Sequence, residues 1–280
     1  MDVPAVVLAL VLAEAGIGGL AFLWFAPTWG ALRHGYEILL GSTLALMTWG
    51  AWAALQAPLE SAAAANPELA DAATWVSRGL LATTIVAAVS VLILIVKLPP
   101  VLARLTGIAA TLLGVASFVP LAMLRAERGL PGGLAQGIAE LVLGAALLGG
   151  IWDGMVLGHW YLVERRLSNR YMLWISWANV GAVVAGLGAV LLSARNPVPC
   201  AGASGAALEG CVTTFSPLLS VGSLTITMGI GVIALIAVIA GFNVRLAQEG
   251  GRSIQASTGM YYLAVILAPA AEFAAKVRYF

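Results

Sequence analysis

Charge is what this sequence has least of. Its 280 residues hold 14 Lys+Arg and 13 Asp+Glu, or 10% of the chain, where soluble domains carry about 25%. A water-soluble surface cannot be covered with so few charges. The near balance of signs also leaves neither a basic face for nucleic acid nor an acidic tail. Cysteine and histidine are equally scarce, with two of each: Cys200 and Cys211, His34 and His159. There is no CxxC, no CxxCH and no Cys/His cluster, the patterns that hold zinc, iron–sulfur clusters or covalent haem. There is no Walker-type phosphate loop, no GxGxxG after a strand and no nucleophile elbow, so nothing points to an ATPase or a soluble-type hydrolase. The first residues, MDVPAVVLAL, carry no Lys or Arg ahead of the apolar run. A secretory signal peptide needs such a basic region, so this run is expected to be a retained membrane span.

What is present is apolar: 61% hydrophobic residues and a mean hydropathy of +0.98. Eight segments are long enough to span a bilayer, at 4–26, 31–56, 78–98, 101–124, 134–163, 171–193, 217–243 and 253–275, since a membrane helix needs about 20 apolar residues. Pro99 and Pro100 separate the third from the fourth, because proline removes an amide donor and clashes with the preceding turn. The expected fold is therefore an all-α polytopic integral membrane protein of about eight transmembrane helices, forming one domain over 1–280.

The connections set an expected orientation. The odd-numbered ones hold Arg33, Lys97, Arg104, Arg165, Arg166, Arg170, Arg245 and Arg252. The even ones and the C-terminal end hold Arg78, Arg125, Arg128, Arg195, Lys276 and Arg278. Eight against six predicts odd connections in the cytoplasm and both termini on the outer, periplasmic side of a bacterial-type inner membrane. Two connections are substantial, 57–77 and 194–216, and both are expected as external loops. Asn66-Pro67 followed by Glu68 and Asp71 marks a helix start in the first. The second is expected to carry a Cys200–Cys211 disulfide, which would persist on the oxidising side.

Candidate chemistry centres on the stretch 134–164, an apolar helix that nevertheless contains Glu140, Asp153 and His159. Ionisable groups inside a membrane are costly, so their default reading is functional. His34 and His159 lie at matched depth near the same face, as a bis-histidine haem b would require. Gly150, Gly154 and Gly158 form a smooth stripe that suits a porphyrin or, as the competing reading, a neighbouring helix. Trp160 and Tyr161 are either one wall of a quinone pocket or part of an aromatic belt at the headgroups.

Glu14, Glu37 and Asp153 are the proton-path candidates. Glu37 shares a face with His34 at i+3. Asp153 and His159 are six residues apart, about 240° around the helix, so they are not an acid–imidazole pair; Asp153 groups instead with Glu14 as an interior acid. Glu140, Glu272 and Lys276 lie near outer ends, within reach of the interface.

These features give a leading expectation: an integral subunit of a multi-subunit redox complex, handling quinone, haem b or protons near its cytoplasmic face. Its partners would be the lipid bilayer and further subunits, with no nucleic acid. The alternative from the same buried acids is a secondary transporter or channel for a small solute or ion. A non-catalytic structural membrane subunit is the third.

Overall fold

The computed structural model describes residues 4–127, 129–164, 166–197, 204–205, 209 and 222–280, the side chains of 222 and 223 excepted. Among these lie eight long helices: α1 Pro4–Phe25, α2 His34–Ala65, α3 Ala70–Ile95, α4 Pro100–Ala126, α5 Gly133–Val163, α6 Arg170–Ser193, α7 Gly222–Glu249 and α8 Ser253–Lys276. Each is long and apolar enough to cross a membrane. This matches the expected polytopic all-α fold, and faces of α3, α4 and α7 rich in exposed Leu, Ile and Val are suited to lipid.

Short connections make sequential neighbours antiparallel. One end of the bundle, here the His34 end, carries 26–33, 96–99, 164, 166–169 and 250–252. It is tied by Arg33 Nε to Glu164 Oε1 at 3.6 Å, and by Asn169 Nδ2 donating to Ala247 O at 3.2 Å. The opposite, Lys276 end carries 66–69, 127, 129–132, 194–197 and the residues after α8. There Tyr279 Oη donates to Gly137 O at 3.1 Å.

α1 and α5 are the central pair. In their most apolar stretches 78% and 72% of residues are buried, against 33–50% in the other six helices. Small residues allow this. A Cβ on Gly18 would lie 1.8 Å from the Ala145 carbonyl oxygen, and one on Gly149 would lie 2.2 Å from the Gly18 carbonyl carbon. The two backbones therefore touch, the usual role of glycine between membrane helices. The stripe Gly150, Gly154 and Gly158 likewise packs against protein, facing Asn179 of α6 and then Tyr261 and Thr258 of α8.

The segment 57–77, expected as a loop, is helical for most of its length. α2 runs on through Pro58 to Ala65, and the turn is compressed into a 3-10 stretch, Pro67–Leu69. Burial drives the extension, because Leu55 and Leu59 continue the core-facing row of α2. The helix-start signal was correctly placed: Asn66 Oδ1 accepts from Glu68 N at 3.0 Å, a turn that asparagine favours. Cys200 and Cys211, and with them the expected disulfide, lie outside the described residues.

The α1–α5 contact makes a direct prediction. Gly18→Ala places a methyl on the Ala145 carbonyl and should destabilise the purified protein by at least about 1–3 kcal/mol, the usual cost of overpacking. Gly231→Ala, which points into open space, should leave the thermal unfolding midpoint in detergent unchanged.

Candidate functional site

Two polar clusters lie inside the bundle, one towards each end, and α5 contributes to both. At the Lys276 end, Lys276 closes α8 with its side chain turned inward. Its Nζ lies 2.9 Å from Glu14 Oε1 of α1 and 3.0 Å from Glu272 Oε2 one turn earlier. It also donates to the Glu140 carbonyl of α5 at 3.0 Å. All of these side chains are fully buried. The Glu14 contact is an ion contact without hydrogen-bond alignment, and neither Glu14 oxygen has a hydrogen-bond partner. Glu14 and Glu272 converge over Gly144, where a Cβ would fall 2.6 and 2.7 Å from their oxygens.

A second layer covers this one. Arg125 of α4, wholly buried, donates to the Gly133 and Pro131 carbonyls at 2.9 Å each and to Asn196 Oδ1 at 2.6 Å. Its Nη2 stands 3.6 Å from Glu140 Oε1. Glu140 also accepts from Gln136 Nε2 at 2.8 Å and from Asn196 Nδ2 at 3.1 Å. Arg278 Nη2 donates to Asn196 O at 2.5 Å. The Tyr279 ring lies under the Arg125 guanidinium and beside the Lys276 ammonium. Burial, and after it the nearby Glu140, push the Tyr279 phenol well above its ordinary range, so it stays a neutral donor.

The expectation that Glu140, Glu272 and Lys276 reach the interface is therefore corrected. The three turn inward, at 0–1% exposure. The physical reason is Glu14. A lone carboxylate in mid-membrane is costly, and the i,i+4 pair Glu272–Lys276 brings a cation to it.

At the His34 end the second cluster is largely uncharged. Tyr36 Oη of α2 donates to Asp153 Oδ1 of α5 at 2.5 Å. Both side chains are buried, and Asp153 Oδ2 has no hydrogen-bond partner. Beyond Gly154, Asn179 Nδ2 of α6 donates to Tyr261 Oη of α8 at 3.1 Å, with Ser176 Oγ 3.4 Å from the same phenol. Nearer the surface, half-exposed His34 places Nδ1 2.9 Å from Glu37 Oε2, and Glu37 Oε1 accepts from Gly30 N at 3.3 Å. The i+3 pairing expected for His34 and Glu37 is thus present.

The other predicted site residues divide. Trp160 lies over Gly35, 6.1 Å edge-on from the Tyr36 ring, and is what α5 presents to α2. His159, about 100° further round the helix, faces α8 instead, with Nδ1 3.0 Å from Tyr262 Oη. Helical geometry thus keeps His34 and His159 from facing one another, and keeps His159 apart from Asp153. Tyr161 Oη donates to Ser168 O at 2.5 Å and lines an open polar groove of about 650 Å³ with Asn169, Glu249 and Arg252. Among the described residues no group of three or more His, Cys, Asp or Glu is placed to hold a metal ion.

Glu14 and Asp153, grouped in the sequence, belong to different clusters. Nine residues separate Gly144 from Asp153, about 13.5 Å along α5, and buried Leu147, Leu148 and Ile151 lie between, packed with Val183, Ala264, Ala268 and Ala271.

No protein-family model, curated protein or solved structure matches this chain. Its chemistry is read from its own side chains.

Sequence reasoning missed Arg125, Asn196, Lys276 and Tyr279 as site members. The i,i+4 spacing of Glu272 and Lys276 was the one signal available. Removing the cation tests the cluster. Lys276→Met should cost about 3–5 kcal/mol, the usual price of leaving a buried charge unpaired, read as a lower thermal midpoint in detergent. Adding Glu14→Gln or Glu272→Gln should restore part of the loss.

Proposed function

We propose that this protein moves protons across the membrane, as a secondary transporter or channel for which the Glu14–Lys276–Glu272 triad is the central exchange site. The observation that carries this reading is two fully buried carboxyls sharing one ammonium. Among the described residues Lys276 is the one cation within ion-pair distance of both acids. Two carboxyls on one ammonium are groups that can pass a proton between them, in a part of the bundle where a purely structural role is better served by apolar side chains.

The expectation of an electron-transfer subunit drew on the matched depth of His34 and His159 together with Glu14, Glu37 and Asp153. The two histidines take partners on different helices, whereas Glu14, an acid common to both readings, gathers with Glu272 around one cation. The contacts therefore favour the transport reading over the redox one.

Buried charge also bears on orientation. Of the six positive residues counted with the even connections and the C-terminal end, Arg125, Lys276 and Arg278 lie inside the protein. Discounting these three widens the excess of positive residues on the odd connections, which favours a cytoplasmic His34 end.

The test is reconstitution of the protein alone into liposomes containing a pH-sensitive dye, with a potassium diffusion potential to drive flux. The wild-type chain should acidify or alkalinise the lumen according to the sign of the potential. Glu14→Gln should fall to the rate of empty liposomes. A wild-type rate equal to that of empty liposomes, or a Glu14→Gln rate equal to wild type, would sink the reading.

A further inference from the structure

We propose that Asp153, held by Tyr36, is a second proton-binding site, exchanging with water at the His34 end and separated from the Lys276 triad by an apolar layer. This rests on the proton-transport reading only in treating both sites as stations of one route.

Three observations carry it. First, Asp153 is fully buried with one hydrogen bond, the phenol of Tyr36 on Oδ1, while Oδ2 is buried without a partner. A structural carboxylate normally has both oxygens satisfied; a vacant, buried carboxyl oxygen is where a proton, with or without a water, is accepted.

Second, among the described residues no cation compensates it. From α2 the titratable group facing Asp153 is Tyr36, which has Glu37 beside it in turn; from α8 it is Tyr261. α6 presents uncharged Ser176 and Asn179, and α1 presents Phe22 at Gly150. The triad keeps its acids beside an ammonium. Asp153 has only neutral donors.

Third, its access is one-sided. Tyr36 stands in the first turn of α2, below the half-exposed His34 and the buried Glu37, with Trp160 across Gly35 as the cover. Towards the triad the way is shut. The α1 and α5 backbones touch at Gly18, Ala145 and Gly149, and Leu147, Leu148, Ile151 and the alanines of α8 fill the remaining section.

Infrared difference spectroscopy of the reconstituted full chain, stepped between acidic and alkaline buffer, reads the carboxylic C=O stretch directly and needs no transport. A band that titrates with pH should be present in the wild type and absent in Asp153→Asn, a nearly isosteric change. Tyr36→Phe should shift its frequency, because the phenol bonds the Asp153 carboxyl. Lys276→Met should leave its frequency and midpoint in place. Hydrogen–deuterium exchange of the same band should quicken in Trp160→Ala, which opens the His34 side, and not in Tyr279→Ala, which opens the other.

The inference fails if Asp153→Asn leaves the titrating spectrum unchanged. It also fails if Lys276→Met moves the midpoint as far as Tyr36→Phe does, or if Tyr279→Ala rather than Trp160→Ala speeds exchange. Absence of flux in liposomes, with an Asp153 band that behaves as expected, would remove the transport reading and leave the proton site standing.

Discussion

The ammonium of Lys276 is the group on which the centre of this bundle depends. α1 has no polar face and a single charge, Glu14, at its middle. Water is out of that carboxyl's reach, and enclosing it as an ion is least costly where a cation meets it inside the protein. Lys276 supplies it from the last turn of α8, and in doing so joins the first and last described helices across α5. The remaining donors of the ammonium go to Glu272 and the Glu140 carbonyl. Three helices thus meet at one nitrogen. Their close approach is possible because Gly144 leaves room where two carboxyls converge, and Gly18 and Gly149 leave room where two backbones touch.

α5 then divides into three zones. Its first half carries Gln136 and Glu140 into a charged network tied by many hydrogen bonds, in which both Glu14 oxygens, Glu272 Oε1 and Arg125 Nε nevertheless stay buried without a hydrogen-bond partner. Its middle is apolar and tightly packed. Its second half carries Asp153 into a cluster of phenols, amides and hydroxyls. The charged zone is rigid by construction, since Arg125 is fixed by two backbone carbonyls and an asparagine while Asn196 holds Glu140 in turn. The neutral zone has one strong tie, Tyr36 to Asp153, and free valences on Asp153 Oδ2 and Asn179 Oδ1. Open carboxyl oxygens thus occur in both zones, on Glu14 and Glu272 as on Asp153.

Much of the fold was legible because membrane helices announce themselves by length and hydropathy, and all eight spans fall where the apolar runs predict. Helical geometry also separated Asp153 from His159 in advance. What could not be read is the direction a side chain takes near a helix end. A lysine one turn from the water normally extends outward, and only the tertiary placement of Glu14 turns Lys276 inward. Arg125, counted as a loop charge, is likewise turned inward, to Glu140, Asn196 and two backbone carbonyls. Tyr36 gave no signal at all, since a tyrosine near a headgroup layer is the ordinary pattern, and its role follows from lying opposite Asp153. Where a loop was expected over 57–77, α2 continues through Pro58, carried by the burial of Leu55 and Leu59 on either side of it.

The apolar zone limits how two proton sites could communicate. About 13.5 Å of α5 separates the level of the triad from Asp153, far beyond a single hydrogen bond. On the α1 side no space exists for water, because the backbones are in contact at Gly18. On the α6 and α8 side the contacts are side chain to side chain. There Asn179 already reaches the level of Gly150, and Ala264, Ala268 and Ala271 present only methyl groups. A small outward displacement of α8 would open that section, while the same displacement of α1 would first have to separate two backbones. On the proposed proton route, the α6–α8 side is where the two sites are separated by side chains and not by touching backbones. α8, on that side, is also the helix that carries Lys276.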